Sequence, residues 1–92
     1  MRKGQMLPTT TEVLDHFVAE LDGKYFGTAT LLGTQIDEIC YIYTVEYDSR
    51  KLTSMGIEHE MFGDSRKAKD FYTATVKSIK TEVLEYLQEE IA

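Results

Sequence analysis

The segment EICYIYTVEYD, at residues 38–48, is the strongest β-strand signal in the chain. It is rich in β-branched and aromatic residues, which pack well on the pleated surface of a sheet. Residues 25–32 have a similar composition and end at a Gly-Thr turn signal. Residues 52–62 follow and alternate between apolar and polar side chains, as a half-buried strand does. The three segments predict a three-stranded antiparallel meander.

The pairing of the second and third predicted strands decides which tyrosines are buried. A three-residue turn places Tyr41 and Tyr43 on the core side, opposite the apolar set of the third strand, which is Met55, Ile57, His59 and Met61. A two-residue turn shifts the register by one, sets Cys40 beside His59, and leaves Tyr41, Tyr43 and Tyr47 on the open face. The binary pattern favours the first register.

A helix is predicted on each side of these strands. Before them, apolar residues recur at helical spacing at Val13, Leu14, Phe17, Val18 and Leu21. Threonines at positions 9–11 offer N-caps and Gly23 offers a C-cap, while His16 is expected on the solvated side. After the strands, a long helix opens at Asp64 or Ser65 and carries a second apolar stripe to residue 91 without glycine or proline.

These elements predict an α+β fold of order α-β-β-β-α, in which the meander packs against two helices and the C-terminal helix is long. Residues 1–92 are expected to form a single domain, and residues 1–8 a flexible N-terminal segment. The single cysteine, Cys40, excludes an internal disulfide and favours a cytoplasmic protein. No stretch approaches the roughly 20 apolar residues of a membrane span.

Motifs of catalysis are scarce. The chain contains no glycine-rich phosphate loop, no His-Glu-x-x-His motif and no pair of cysteines. Cys40 beside His59 would be a thiol and base pair, but no third group is in place to orient it. We therefore expect no enzyme, no metal site and no cofactor.

A short basic run follows the third predicted strand. It contains Gly63, Ser65, Arg66, Lys67, Ala68 and Lys69. The predicted order of elements, a helix, three strands and a helix, resembles that of the double-stranded RNA-binding domain. In that family a basic start of the last helix contacts phosphates, and the basic run lies at the corresponding place. The resemblance implies nucleic-acid contacts for Arg66, Lys67 and Lys69, as the alternative function. The family's small, alanine-rich helix face is replaced here by Phe71, Tyr72 and Thr73.

Charge favours a different partner. The formal net charge of -6 argues against a binder of nucleic acid or anionic membranes, which need a basic footprint. The leading expectation is a small acidic, non-enzymatic domain that binds another protein with a basic surface. It would act as an adaptor, inhibitor or regulator, like small inhibitors encoded by phages and mobile elements, by analogy of size and charge alone.

The last helix also predicts a homodimer. Its N-terminal end is basic and its C-terminal end acidic, which opposes the helix macrodipole, and an antiparallel second copy would compensate both ends. One part of the apolar stripe would pack on the protein's own sheet, and the other part would pack against the second copy. The predicted protein interface comprises Tyr72, Val76, Ile79, Val83 and Leu87, with Glu82, Glu85 and Glu89 beside them.

Overall fold

The fold is a four-stranded antiparallel sheet with one helix across one face. The structure is a computed structural model that describes residues 10–36, 38, 40–49 and 56–91, the side chains of 90 and 91 excepted. The elements are β1 (Thr10–Leu21), β2 (Lys24–Gln35), β3 (Tyr41–Ser49), β4 (Glu58–Phe62) and α1 (Ser65–Ile91). The strands lie in the order β1-β2-β3-β4. The predicted residues 1–8 segment lies outside the described residues.

The predicted order α-β-β-β-α is wrong, because the first element is a strand. Its end shows why: Asp22 and Gly23 both have positive φ, 53° and 77°, and join two strands that pair directly from Leu21 and Lys24. A two-residue turn with two positive φ angles matches the right-handed twist of a hairpin, and Asp-Gly is a preferred sequence for it. Gly23 is therefore a hairpin residue and not a helix C-cap.

The helical spacing in the first element has a structural cause. Val13 pairs with Leu32 and Asp15 pairs with the next residue, Leu31, so Leu14 is an extra residue that forms a β-bulge. A bulge shifts the alternation of side chains by one residue. After it, Phe17 and Leu21 pack on the core side and Ala19 is buried between them. The apolar residues of β1 are therefore spaced along the sequence as they would be in an amphipathic helix.

The predicted pairing of the second and third strands is also wrong in register. β4 begins at Glu58, and Tyr43 lies opposite Phe62 while Glu46 lies opposite His59. Eight residues separate the end of β3 at Ser49 from the start of β4 at Glu58, which is more than the tight turn that the sequence suggests. The predicted strand residues 52–55 lie outside the described residues. His59 and Met61, expected in the core, fall on the face opposite to the core.

The predicted core side of Tyr41 and Tyr43 is correct, because both are half-buried on the side of the sheet that α1 covers. Tyr43 packs against the core, as Tyr47 does, whereas Tyr41 lies against Gly33. The core itself lies between that side and the helix, with Phe26, Ala29, Leu31 and Val45 from the sheet and Ala68, Tyr72 and Ile79 from α1. Burying one side chain of the size of Phe26 contributes about 1.5–3 kcal/mol.

The long C-terminal helix is confirmed. Asp64 caps it, because its carboxylate accepts a hydrogen bond from the Arg66 backbone N–H at 2.8 Å. Phe71 then meets the rings of Phe62 and Tyr47, with centroids 5.5 and 5.6 Å away. Fifteen residues later, Tyr86 meets Phe26 with centroids 5.2 Å apart. The helix therefore packs along the sheet for most of its length.

Candidate protein interaction surface

The two faces of the sheet differ in what covers them. The Ile79 side chain of α1 lies against Gly27, and Ala29 and Leu31, at alternate positions of β2, are almost fully buried on the same side. Side chains between them point the opposite way. We call that opposite surface the open face, because in the described part of the chain no element packs on it. Its side chains are Thr11, Val13, His16, Val18, Thr28, Thr30, Leu32, Thr34, Ile42, Thr44, Glu46, Asp48, His59 and Met61.

An apolar band crosses the open face. The strand register aligns Val13, Leu32, Thr44 and Met61, one from each strand. Val13 is 61% and Met61 64% exposed, and Val18 further along β1 is 50% exposed. Single exposed apolar residues are ordinary, whereas a contiguous set on one flat surface is typical of an interaction site. The band is the part of the open face best suited to a protein partner.

A polar row runs beside this band. It aligns His16, Thr30, Glu46 and His59 across the four strands. The His16 Nδ1 atom lies 2.8 Å from the Thr30 hydroxyl, which fixes the imidazole against the sheet. The row offers hydrogen-bonding groups next to the apolar band, so a partner could be oriented as well as bound.

Carboxylates set the electrostatic character of the open face. Glu46 and Asp48 lie on β3, and none of the open-face residues is a lysine or arginine. The Tyr25 hydroxyl lies 3.2 Å from the Thr28 hydroxyl and 3.2 Å from a carboxylate oxygen of Asp48, so this end is held by side-chain hydrogen bonds. An acidic face attracts a basic partner and repels nucleic acid.

On the covered face, hydroxyl groups accompany the carboxylates. The Tyr41 hydroxyl donates to Glu12 at 3.4 Å, and the buried Ser49 hydroxyl donates to the carboxyl group of Glu82. Partial burial, followed by the nearby carboxylate of Asp15, raises the pKa of Tyr72. Burial and the Glu12 carboxylate likewise raise the pKa of Tyr41. The Ser49–Glu82 pair is buried beneath α1, whereas the Tyr41–Glu12 pair is exposed at the β1 edge of the same side of the sheet.

The predicted helix interface divides between the core and the surface. Tyr72, Ile79 and Glu82 are buried inside the chain, and Val76 and Val83 are half-buried against the sheet. Glu85, Leu87 and Glu89 are exposed. Only the last turns of the predicted seam therefore reach the surface, and the homodimer stays a prediction.

The residues of the alternative function are placed differently. Arg66, Lys67 and Lys69 are exposed in the first turns of α1. The resemblance to the double-stranded RNA-binding domain depended on an initial helix, and β1 occupies that position. The alternative therefore loses the element order that motivated it.

The thiol and base pair is not formed. His59 lies opposite Glu46, whereas Cys40 precedes β3 at the other end of that strand. Among the described residues, no cluster of three or more histidine, cysteine, aspartate or glutamate side chains could hold a metal ion. None of the described helices is long and apolar enough to cross a membrane.

Sequence reasoning missed the open face, although one signal could have located it. The Asp22-Gly23 dipeptide between two apolar segments is a strong hairpin signal, and a strand before it would have placed His16 and Val18 on one face. No protein-family model, no curated protein and no solved structure matches the chain. The fold and its surfaces are therefore the basis of the functional argument.

Proposed function

We propose that this is a non-enzymatic protein-interaction domain, which binds a basic surface of another protein through the open face. It would serve as an adaptor, inhibitor or regulator of that protein. The observation that supports the proposal most directly is the apolar band of Val13, Leu32, Thr44 and Met61 on a face that no described element covers. Its two end residues, Val13 and Met61, are exposed, and Leu32 and Thr44 between them are half-buried.

The dimensions of the open face fit such a role. Four strands spaced about 4.8 Å apart, with the five residues of β4 and six to eight residues of each other strand, give a surface of roughly 350–450 Å². That area is smaller than the roughly 600 Å² per partner of the smallest standard interfaces and is typical of weak or transient binding. The sheet is rigid because its other side is packed against α1, so little conformational entropy is lost on binding.

Charge supports a basic partner. Glu46 and Asp48 lie within the open face, and the whole chain carries a net charge of -6. Glu58 and Glu60 of β4 lie on the other side of the sheet, opposite Tyr47 and Val45. Complementary charge mainly accelerates association and selects among partners, while the apolar centre supplies most of the affinity. The same charge disfavours duplex nucleic acid, which we expect not to bind in a gel shift even at low salt.

The test is a capture experiment with matched variants. The tagged protein and its Met61→Lys and Val13→Lys variants are incubated with an extract of the native host, and bound proteins are identified by mass spectrometry. Both positions are highly exposed, so the variants should fold like the parent. We expect them to lose a partner that the parent captures.

Ala74→Lys is the matched control, because Ala74 is exposed on α1 and far from the open face. It adds the same charge and should retain the partner. Thermal melts of the four proteins by circular dichroism verify folding. If Met61→Lys and Val13→Lys capture the same proteins as the parent in the same amounts, the open face is not the binding site.

A further inference from the structure

The two edges of the sheet are not equally protected. β4 is an edge of five residues, EHEMF, in which charged side chains discourage pairing with another strand. β1 is an edge of twelve residues without proline, lysine or arginine, and within the described part of the chain no strand lies beyond it. Long edges of this kind present backbone N–H and C=O groups to which an extended chain can pair.

The bulge at Leu14 leaves a regular stretch on β1. Residues 15–21 pair with β2 without a further extra residue on the β1 side, and these seven residues are as long as an ordinary strand. An added strand could therefore follow this stretch from the hairpin end to the bulge. The bulge itself would end the pairing.

A pocket lies at the end of that stretch, between β1 and the start of α1. Its volume is 370 Å³, enough for one or two apolar side chains, and Leu14 is 41% exposed at its rim. The pocket is lined by Leu14, Asp15 and Leu31 from the sheet and by Lys69, Tyr72 and Thr73 from the helix. An edge strand beside a pocket is the arrangement in which peptides bind by strand addition, with backbone pairing for affinity and the pocket for selectivity.

Charge indicates which strand would pair. Every ionisable side chain of β1 other than His16 is a carboxylate, namely Glu12, Asp15 and Glu20. Two copies of β1 side by side would bring these carboxylates together, which opposes self-pairing. A strand that carries lysine or arginine would instead be attracted. Because Lys69 is the one cation of the pocket lining, the side chain that enters the pocket should be uncharged.

We propose that β1 accepts an extended, basic segment of a partner protein as a fifth strand, with one apolar side chain of that segment in the Leu14–Tyr72 pocket. This inference rests on the proposed function, since it specifies the chemistry of the partner. It also continues the open face, because Val13 and Val18 belong to β1 and would lie beside the added strand.

The probe is a blocked peptide of lysine and threonine with one valine for the pocket. It is long enough to span residues 15–21, and its lysines fall on both faces of the added strand. The matched control peptide has glutamate in place of lysine. Binding is measured by the anisotropy of a fluorescent label, and the site is located by amide chemical-shift changes in the ¹⁵N-labelled full chain. We expect shifts along β1 and around the pocket, and affinity for the glutamate peptide that is weaker by about tenfold or more.

Thr73→Tyr fills the pocket from an exposed helix position and should weaken the lysine peptide by about tenfold or more, since one apolar side chain is no longer buried. Ala74→Tyr, on the next residue and outside the pocket lining, should leave its affinity unchanged. Circular dichroism confirms that both variants fold.

Three results would overturn the inference. One is no binding of the lysine peptide, or equal binding of both peptides. Another is binding that Thr73→Tyr does not weaken, or shifts confined to β4. The third is a dimer of the protein alone that Thr73→Tyr dissociates, which would make a second copy the occupant. The proposed function fails separately, when Met61→Lys and Val13→Lys capture the same proteins as the parent.

Discussion

The Ile79 side chain packs directly on the backbone of Gly27. A Cβ atom at Gly27 would lie 3.3 Å from the Cδ1 atom of Ile79 and 2.6 Å from the carbonyl oxygen of Asp48. A methyl group there would push α1 or β3 away from β2, both of which are held in the core. We expect Gly27→Ala to lower the free energy of unfolding by about 1–3 kcal/mol, measured by urea denaturation.

Gly33, six residues further along β2, is the matched control for Gly27. The three atoms nearest to its Cβ position all belong to the Tyr41 side chain, namely the hydroxyl oxygen, the Cε1 atom at 2.9 Å and the Cζ atom, and this half-buried side chain can rotate away. We expect Gly33→Ala to stay within about 1 kcal/mol of the parent. Equal losses at both glycines would show that the helix does not rest on Gly27 as described.

The hairpin turn provides a second prediction. Gly23 has a φ of 77°, and apart from its chain neighbours no atom lies within 4 Å of where a Cβ atom would stand. A substitution there therefore tests backbone conformation without steric contact. Gly23→Ala should cost about 1–2 kcal/mol, the penalty of the left-handed region. Gly23→Asn should cost clearly less, because asparagine tolerates that region. Similar melting temperatures for the two variants would contradict the turn.

The elements that could be predicted from sequence are those whose signal is local. α1 has an aspartate cap, no internal glycine or proline, and an apolar stripe, so its bounds were accessible. β2 and β3 were identified from composition. The first strand is not among them, because the bulge at Leu14 places its apolar residues at helical spacing, and that spacing makes Gly23 resemble a helix C-cap rather than a hairpin residue.

The candidate surface depends on features that are not local. Whether His59 and Met61 face the core or solvent depends on the register of β4, and that register follows from how Phe62 packs against Phe71 of α1. A shift of one residue exchanges the two faces of a strand. The sequence pattern of β4 is compatible with either choice, so tertiary packing decides which face is open.

The buried hydrogen bond between Ser49 and Glu82 provides a third prediction. Both side chains are more than nine-tenths buried, where a carboxyl group that loses a donor is costly. Ser49→Ala should lower the free energy of unfolding by about 1–3 kcal/mol. In a Glu82→Met background, which lacks the acceptor oxygen, the same change should cost less, and the double-mutant cycle measures that coupling. Additive losses would mean that the bond contributes nothing.

Alkaline pH provides a fourth prediction. Burial, and then the Asp15 carboxylate, raise the pKa of Tyr72 above its ordinary value of 10.0. Above that value the unfolded state has released the phenolic proton while the folded state retains it, so stability is full below it and falls as pH rises further. Tyr72→Phe should flatten this decline in urea denaturation, relative to the parent. A decline of unchanged slope would contradict the shift.

Asp15→Asn refines the alkaline test, since it removes the carboxylate and retains a hydrogen-bond acceptor for the Tyr72 hydroxyl. Phenolate absorbance in the folded protein should then rise at lower pH than in the parent. Tyr41 and Tyr47 also have raised pKa values, from burial and from nearby glutamates, and they contribute the same background in both proteins.

The last prediction concerns the homodimer, whose contact is limited to the exposed residues of α1. Leu84 is 58% and Leu87 37% exposed, and both lie in the half of α1 that is expected to meet a second copy. An antiparallel pair of helices would bury these leucines and bring Lys77 of one copy towards Glu85 of the other. We expect a dimer by light scattering at low salt and a weaker one at high salt.

Leu84→Glu should convert that dimer to a monomer, because it places a carboxylate in the apolar contact. Ser78→Glu adds the same charge on an exposed part of α1 away from Leu84 and should leave the dimer intact. A strict monomer at both salt concentrations would rule out self-association through α1. The acidic side chains Glu85 and Glu89 would then remain exposed at the end of the helix, where they extend the acidic surface offered to a basic partner.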